Sequence, residues 1–163
     1  MGEESDKSAP LQNPPDEPRA ILVAVDASNH AIRVIGMAAR MSRAMPGADV
    51  HVVHVFRTGR LDRPRLGAPA SNADLVEEAK EHLAHYVRTL KKSCRASITG
   101  HLEMGDPAHE VLRLVGAVDA DLLVVGTHDY VGFERFLLGS VAETLMRKAG
   151  CPVLVVRPKA HGR

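Results

Sequence analysis

Short apolar runs recur along this chain, and the segments between them carry apolar residues at every third or fourth position instead. A continuous apolar run of this length is typical of a strand buried on both faces, because a strand with one wet face would alternate. A weaker run, SITGHLEMG at residues 97–105, is interpreted as a further strand. The clear runs are AILVAVD at residues 20–26, DVHVVHVF at 49–56, DLLVVG at 121–126 and CPVLVVR at 151–157.

The segments between the runs have the spacing of amphipathic helices. Asp106 before Pro107 supplies an N-cap and a first-turn proline for one of them, and Ser71 with Asp74 forms a capping box for another. A shorter helix is predicted from about Val141 to Ala149. The residues predicted to face the core are Val34, Met37, Ala38, Met41 and Met45, then Leu75, Ala79, Leu83, Tyr86 and Leu90, then Ala108, Val111, Leu112 and Val115.

Strands that alternate with helices predict a single α/β domain over residues 20–158, in which helices cover both faces of a doubly wound, parallel sheet. Residues 1–19 are polar and proline-containing, so we expect a disordered N-terminal tail there, and residues 159–163 form a short C-terminal tail. Ligands of such sheets bind beyond the carboxyl ends of the strands. The candidate positions are therefore Asp26, Arg57 and its loop, Gly105, and Gly126 onward.

Composition excludes several partners. The net charge of +1 on 163 residues comes without a long run of one sign, so neither nucleic acid nor an anionic membrane is expected as a partner. The chain has no Trp, two Tyr and three Phe, which leaves no stacking platform for single-stranded nucleic acid. The N-terminus has no apolar core that would make it a signal peptide. Two cysteines, Cys94 and Cys151, are interpreted as reduced thiols of a cytoplasmic protein.

Common enzyme motifs are missing as well. The chain has no G-x-x-x-x-G-K-[ST], no G-x-G-x-x-G after the first strand, no G-x-S-x-G and no H-E-x-x-H, which disfavours ordinary NTPases, dehydrogenases and hydrolases. Glu78, His82 and His85 share one helical face, but a solvated polar face explains them better than a metal site. His51 and His54 point to opposite faces of a strand and cannot share an ion. We therefore predict neither catalytic nor metal-ligating residues.

The segment GTHDYVGFERFLLGSVAETL, residues 126–145, permits two interpretations. Gly139 and Ser140 lie where a helix begins, so the first-turn N–H groups and the helix dipole would face an anion. Ser140 with Glu143 is also a capping box that needs no ligand. The spacing favours the two equally. Asp26 is similarly either a turn residue or a carboxylate that accepts a hydrogen bond from ribose or adenine.

From Ala20 to Pro158 the sequence resembles the universal stress protein family. The segments that carry the resemblance are ILVAVD, VHVVHVF, EMGDPAHEVLRLV, DLLVVGTH, GFERFLLGSVAETL and CPVLVVRP. The resemblance implies a Rossmann-like, five-stranded parallel sheet of order 3-2-1-4-5. In that order the first and fourth strands are adjacent, which brings Asp26 close to Gly126.

The resemblance also implies a nucleotide site, because the ATP-binding branch of the family carries G-x-x-G, nine residues and then G-[ST]. Asp129 stands where the second glycine belongs, while the other motif positions match. Asp26 and Val55 fall where the family contacts adenosine, the latter through backbone groups. The predicted ligand is ATP, with ADP or AMP as alternatives. The implied binding residues are Asp26, Val55, Gly126, Asp129, Gly139, Ser140 and Val141.

Asp129 decides between the functions that remain. Its carboxylate would repel a phosphate about 4 Å away by about 1 to 4 kcal/mol, according to the effective dielectric. It could instead turn to solvent, or help to hold a Mg²⁺ ion that bridges the phosphates. We favour a cytoplasmic, non-catalytic, ATP-binding stress-response module. The alternatives are a nucleotide-free dimeric interaction protein of the same family and, last, a slow ATPase.

A homodimer is also expected. The final apolar run would lie at the edge of the sheet, and an apolar edge strand is normally paired or covered. By resemblance, residues 152–157 pair with the same strand of a second copy.

Overall fold

Strands and helices alternate along the whole of the structure, which describes residues 19–57, 72–127 and 139–157 of the chain as a computed structural model. Of the predicted tails, only Arg19 lies within these ranges, and so the proposed domain limits stay a prediction. The strands are β1 (Ala20–Val25), β2 (Asp49–Phe56), β3 (Ile98–Met104), β4 (Leu122–Gly126) and β5 (Val153–Val156). The helices are α1 (Ala31–Ala44), α2 (Asn72–Ser93), α3 (Pro107–Ala117) and α4 (Ser140–Lys148).

The strands form one five-stranded parallel sheet in the order β3-β2-β1-β4-β5, which confirms the predicted fold and strand order. β1 lies at the centre, paired with β2 from Ala20 opposite Asp49 to Val25 opposite His54. Its other neighbour is β4, where Ala24 lies opposite Val125. The chain winds away from β1 in both directions, so a crevice opens at the carboxyl ends of β1 and β4.

Two hydrophobic cores lie on the two faces of this sheet. Side chains of β1 alternate between them, because successive residues of a strand point to opposite faces. Ile21 and Val23 pack under α1 and α2, whereas Leu22 packs under α3 and α4. All three are completely buried. The continuous apolar run of β1 is therefore explained by burial on both faces.

The helices turn their predicted faces to these cores, with corrections in α1, α2 and α3. Met37, Met41, Met45 and Leu75 are only partly buried, and α1 also buries Ile35 and Ala39. In α3 the buried residue is Leu114, whereas the predicted Leu112 is only partly buried against the same core. The N-terminus of α3 is as predicted, since the Asp106 side chain accepts a hydrogen bond from the His109 N–H at 3.0 Å. The predicted capping residue of α2, Ser71, lies outside the described residues.

The two cysteines and the apolar character of the helices can also be compared with the sequence analysis. Cys94 and Cys151 are both free thiols, and burial raises the pKa of the Cys151 thiol. In residues 19–57, 72–127 and 139–157, no helix combines the length and the apolar character needed to span a bilayer.

Candidate functional site

A cavity of about 290 Å³ opens at the carboxyl ends of β1, β2 and β4, beside the N-terminus of α4. Arg57 also lines this cavity, whereas Gly105, the other position predicted to follow a strand, does not. Asp129 lies outside the described residues. The remaining predicted binding residues all line the same cavity, namely Asp26, Val55, Gly126, Gly139, Ser140 and Val141.

Asp26 is held at the mouth of the cavity by the turn that follows β1. Its carboxylate oxygen Oδ1 accepts hydrogen bonds from Ser28, from the backbone N–H at 2.9 Å and from the hydroxyl at 2.5 Å. The Tyr86 hydroxyl, from α2, donates to the backbone carbonyl of Asp26 at 3.0 Å. The two interpretations of Asp26 are therefore compatible, because the residue organises a turn and also lines the cavity.

Gly126 is required by packing at the end of β4. A Cβ atom at this position would lie 2.9 Å from Cγ2 of Val34 and 3.1 Å from Cδ2 of His30. Val34 belongs to α1 and His30 precedes that helix directly, and Val34 is almost completely buried. The close approach of α1 thus accounts for glycine here, whether or not a phosphate binds nearby.

The N-terminus of α4 differs from the predicted capping box. Gly139 is the N-cap, with φ −58° and ψ 146°, and no side chain caps the helix among the described residues. Ser140 is already the first helical residue, and Glu143 lies 4.0 Å from Arg147 rather than reaching back to the cap. The capping-box prediction was therefore wrong by one position. The first-turn N–H groups have no acceptor within the helix itself.

The cavity wall between Asp26 and the N-terminus of α4 is mostly apolar. Arg57 sits at the rim, where its guanidinium lies 3.2 Å from the Asp106 carboxylate and both side chains are largely exposed. Such a wall suits a flat heterocycle, and the polar groups at either end would orient it. The valines that line the cavity are Val25, Val34, Val53, Val55, Val111, Val125 and Val141.

His30 lines the cavity too, and sequence reasoning missed it. The residue precedes α1 and follows the turn after β1, so the rule that ligands lie beyond strand ends could have included it. Its ring nitrogen Nε2 lies 3.0 Å from the carbonyl oxygen of Val156, a contact between residues distant in the sequence. No local pattern in the sequence indicates that contact.

His51, His54 and His101 have shifted pKa values. Burial lowers the pKa of His54, although a hydrogen bond with the Val25 carbonyl at 3.1 Å opposes the shift. His51 Nδ1 lies 2.9 Å from His101 Nε2. Burial is the main cause that lowers the pKa of both rings. Among the described residues, no group of three or more His, Cys, Asp or Glu side chains is arranged to hold a metal ion.

We expect the free energy of unfolding to fall as the pH is lowered from about 7 to about 5. All three rings have a folded-state pKa below the usual 6.5, so the unfolded chain binds protons more readily. Their contribution is complete above the unfolded pKa and is lost as the pH falls through the folded pKa. Urea unfolding across this pH range measures the effect.

His54→Asn tests the origin of that loss. The asparagine amide can still donate to the Val25 carbonyl but does not titrate, so the fall in unfolding free energy should become shallower. His85→Asn, at an exposed position of α2, is the matched control. An unchanged pH dependence in His54→Asn would contradict the assignment.

Comparison with known proteins identifies relatives along almost the whole described chain. The sequence model of the universal stress protein family matches residues 18–157. A universal stress protein of Methanocaldococcus jannaschii is 33% identical over 144 residues, which are 85% of this chain and 82% of that protein. These matches agree with the segments on which the resemblance was based.

Solved structures agree with the fold. The universal stress protein from Archaeoglobus fulgidus superposes with a TM-score of 0.68 at 30% identity, over 84% of this chain and 97% of that one. The structure of the Archaeoglobus fulgidus protein in complex with dAMP has a TM-score of 0.62 at 30% identity and covers 85% of this chain and 98% of that chain. An adenine nucleotide is thus bound by a relative of the same fold.

Proposed function

Because the chain belongs to the universal stress protein family, we propose that it is a non-catalytic, cytoplasmic stress-response module that binds an adenine nucleotide. The predicted ligand is ATP, with ADP or AMP as alternatives. One observation carries the proposal: six of the seven predicted binding residues line a single cavity at the carboxyl end of the sheet. The dAMP complex of the Archaeoglobus fulgidus protein supports the choice of an adenine nucleotide.

The two ends of the cavity take different parts of the ligand. Asp26 and the backbone of Val55 bind adenosine against the valine wall. Gly126, Asp129 and the first turn of α4 receive the phosphates, because the turn offers N–H donors and the positive end of the helix dipole. Mg²⁺ accompanies a triphosphate and offsets the charge of Asp129.

Calorimetric titration of the wild-type protein tests this proposal, with ATP and Mg²⁺, Mg²⁺-free ATP and AMP in three separate series. We expect dissociation constants in the micromolar range. Asp129→Gly should tighten the binding of Mg²⁺-free ATP more than that of AMP, because repulsion grows with the charge of the ligand. Asp119→Gly, which removes an exposed carboxylate before β4, is the matched control.

The variant also separates the proposed function from its alternative. If wild type binds none of these nucleotides and Asp129→Gly binds them, the site has been disabled in this chain. The protein would then be a nucleotide-free interaction protein.

We further propose that the protein is a homodimer through residues 152–157. β5 is an edge strand of the sheet. The carbonyls of Pro152 and Val156 accept hydrogen bonds from the β4 side, from Leu123 and Thr127. Backbone groups of alternate residues in a strand face opposite ways, so those of Val153 and Val155 face away from β4, toward the open edge. That edge can pair with a second copy of the strand.

Light scattering over a range of protein concentrations should give a mass twice that of one chain. Val155→Pro removes an outward-facing N–H from an edge strand, a position where proline is tolerated. We expect this variant to be a monomer with an unchanged circular dichroism spectrum. A wild-type mass of one chain at every concentration would contradict the dimer.

A further inference from the structure

His30 connects the two ends of the proposed site. Its backbone N–H donates to the Ser28 hydroxyl at 3.3 Å, and Ser28 is itself bound to the Asp26 carboxylate at the adenosine end. Its ring nitrogen Nε2 lies 3.0 Å from the carbonyl oxygen of Val156. A carbonyl oxygen can only accept, so Nε2 carries the proton and donates.

The acceptor of that bond lies beside the phosphate end. Val156 also accepts a hydrogen bond from the Thr127 N–H at 3.1 Å, so one carbonyl oxygen holds both the imidazole and the residue that follows β4. The ring edge packs on Gly126, where a Cβ atom would lie only 3.1 Å from Cδ2 of His30. The imidazole therefore packs on the end of β4 and shares its Val156 acceptor with Thr127, the residue that follows β4.

We propose that His30 is a positioning residue, which holds the start of the phosphate-binding segment at a fixed place relative to Asp26. The inference rests on the proposed function. It means that His30 contributes to the affinity for the phosphate of the nucleotide and not to the affinity for adenosine. The bond to Val156 carries this role, since it joins the His30 ring directly to the end of β5. A side chain that only matches the volume of the imidazole ring would not fulfil the positioning role.

Three substitutions separate the hydrogen bond from the volume of the ring. His30→Leu and His30→Met fill similar space but donate nothing. His30→Gln places an amide nitrogen where Nε2 lies and can still donate to Val156. Ile32→Ala, at an exposed position of α1 outside the cavity lining, is the matched control.

The measured quantities are the dissociation constants of AMP and of adenosine, obtained by competition against a fluorescent AMP analogue, with thermal melting as a check on folding. We expect His30→Leu and His30→Met to weaken AMP by roughly tenfold and adenosine by less than about twofold. His30→Gln should bind AMP within about twofold of wild type.

Several results would overturn the inference. Equal weakening of AMP and adenosine would mean a general structural role, and equal weakening by Leu and Gln would mean that the hydrogen bond does not matter. Wild-type affinity in all three variants would exclude a positioning role while leaving the proposed function intact. If wild type binds no AMP, this inference fails, and the proposed function fails with it only if ATP and ADP do not bind either.

Discussion

Gly139→Asp is expected to abolish AMP binding while leaving the fold at least as stable as wild type. Asp is among the preferred N-cap residues, and the observed φ and ψ of Gly139 are angles that such a residue adopts. Its carboxylate would accept from the first-turn N–H groups of α4 and interact favourably with the helix dipole. The same groups would then be unavailable to a phosphate, which the new charge also repels.

The expected loss of AMP affinity is at least about 100-fold, since charge-assisted hydrogen bonds are lost and a repulsion is added. The melting temperature should stay level or rise slightly. Gly139→Ser is the control, because serine caps the helix without a charge and should weaken AMP less. Calorimetry and thermal melting measure the two effects separately. Unchanged AMP affinity in Gly139→Asp would mean that the phosphate lies elsewhere.

Gly126→Ala is expected to lower the free energy of unfolding by about 1 to 3 kcal/mol, the usual cost of overpacking. The added methyl group would lie 2.9 Å from Cγ2 of Val34, a separation that real Cβ atoms do not show. Val34 is almost completely buried, so it cannot simply move aside. Either α1 or the end of β4 has to shift, and a shift of β4 would displace the phosphate end of the site.

The matched control is Gly36→Ala in α1, the helix that carries Val34. A Cβ atom at Gly36 would meet nothing within 4 Å. This substitution should stabilise the protein by up to about 1 kcal/mol, because alanine favours a helix over glycine. Val34→Ala combined with Gly126→Ala should cost less than the sum of the two single changes, since Val34→Ala removes the methyl group that the new Cβ would meet and the new Cβ fills part of the cavity it leaves. Urea unfolding gives all four values. A neutral Gly126→Ala would contradict the packing explanation.

Local patterns predicted the elements well. Burial on both faces makes each central strand a continuous apolar run, so β1 was placed at residues 20–26 and is found at Ala20–Val25. The strand order came with the family resemblance and not from periodicity, because periodicity is blind to which strands are neighbours. Leu112 and Leu114 flank the buried Val111 and Val115 on opposite sides of the helix, and spacing alone does not show which flank is the more deeply buried.

The details of the site were less predictable, and the reason is physical. A capping box is defined by residues close in sequence, yet the chain can enter a helix one residue earlier, as it does at Gly139. The contact between His30 and Val156 depends on how α1 packs beside β5, which no local pattern encodes. The sequence motif predicts that Gly126 binds phosphate, whereas the structure gives a packing reason for the same glycine.

The most direct test of the account is a titration of isotopically labelled protein with AMP, followed in amide NMR spectra. We expect the largest shifts at Ser140, Val141 and Ala142 in the first turn of α4 and at Asp26 and Gly126 at the strand ends. These amides should saturate together at one dissociation constant. The absence of shifts both at saturating AMP and in a parallel titration with ATP and Mg²⁺, or shifts confined to residues away from the cavity, would contradict the proposal that this cavity binds an adenine nucleotide.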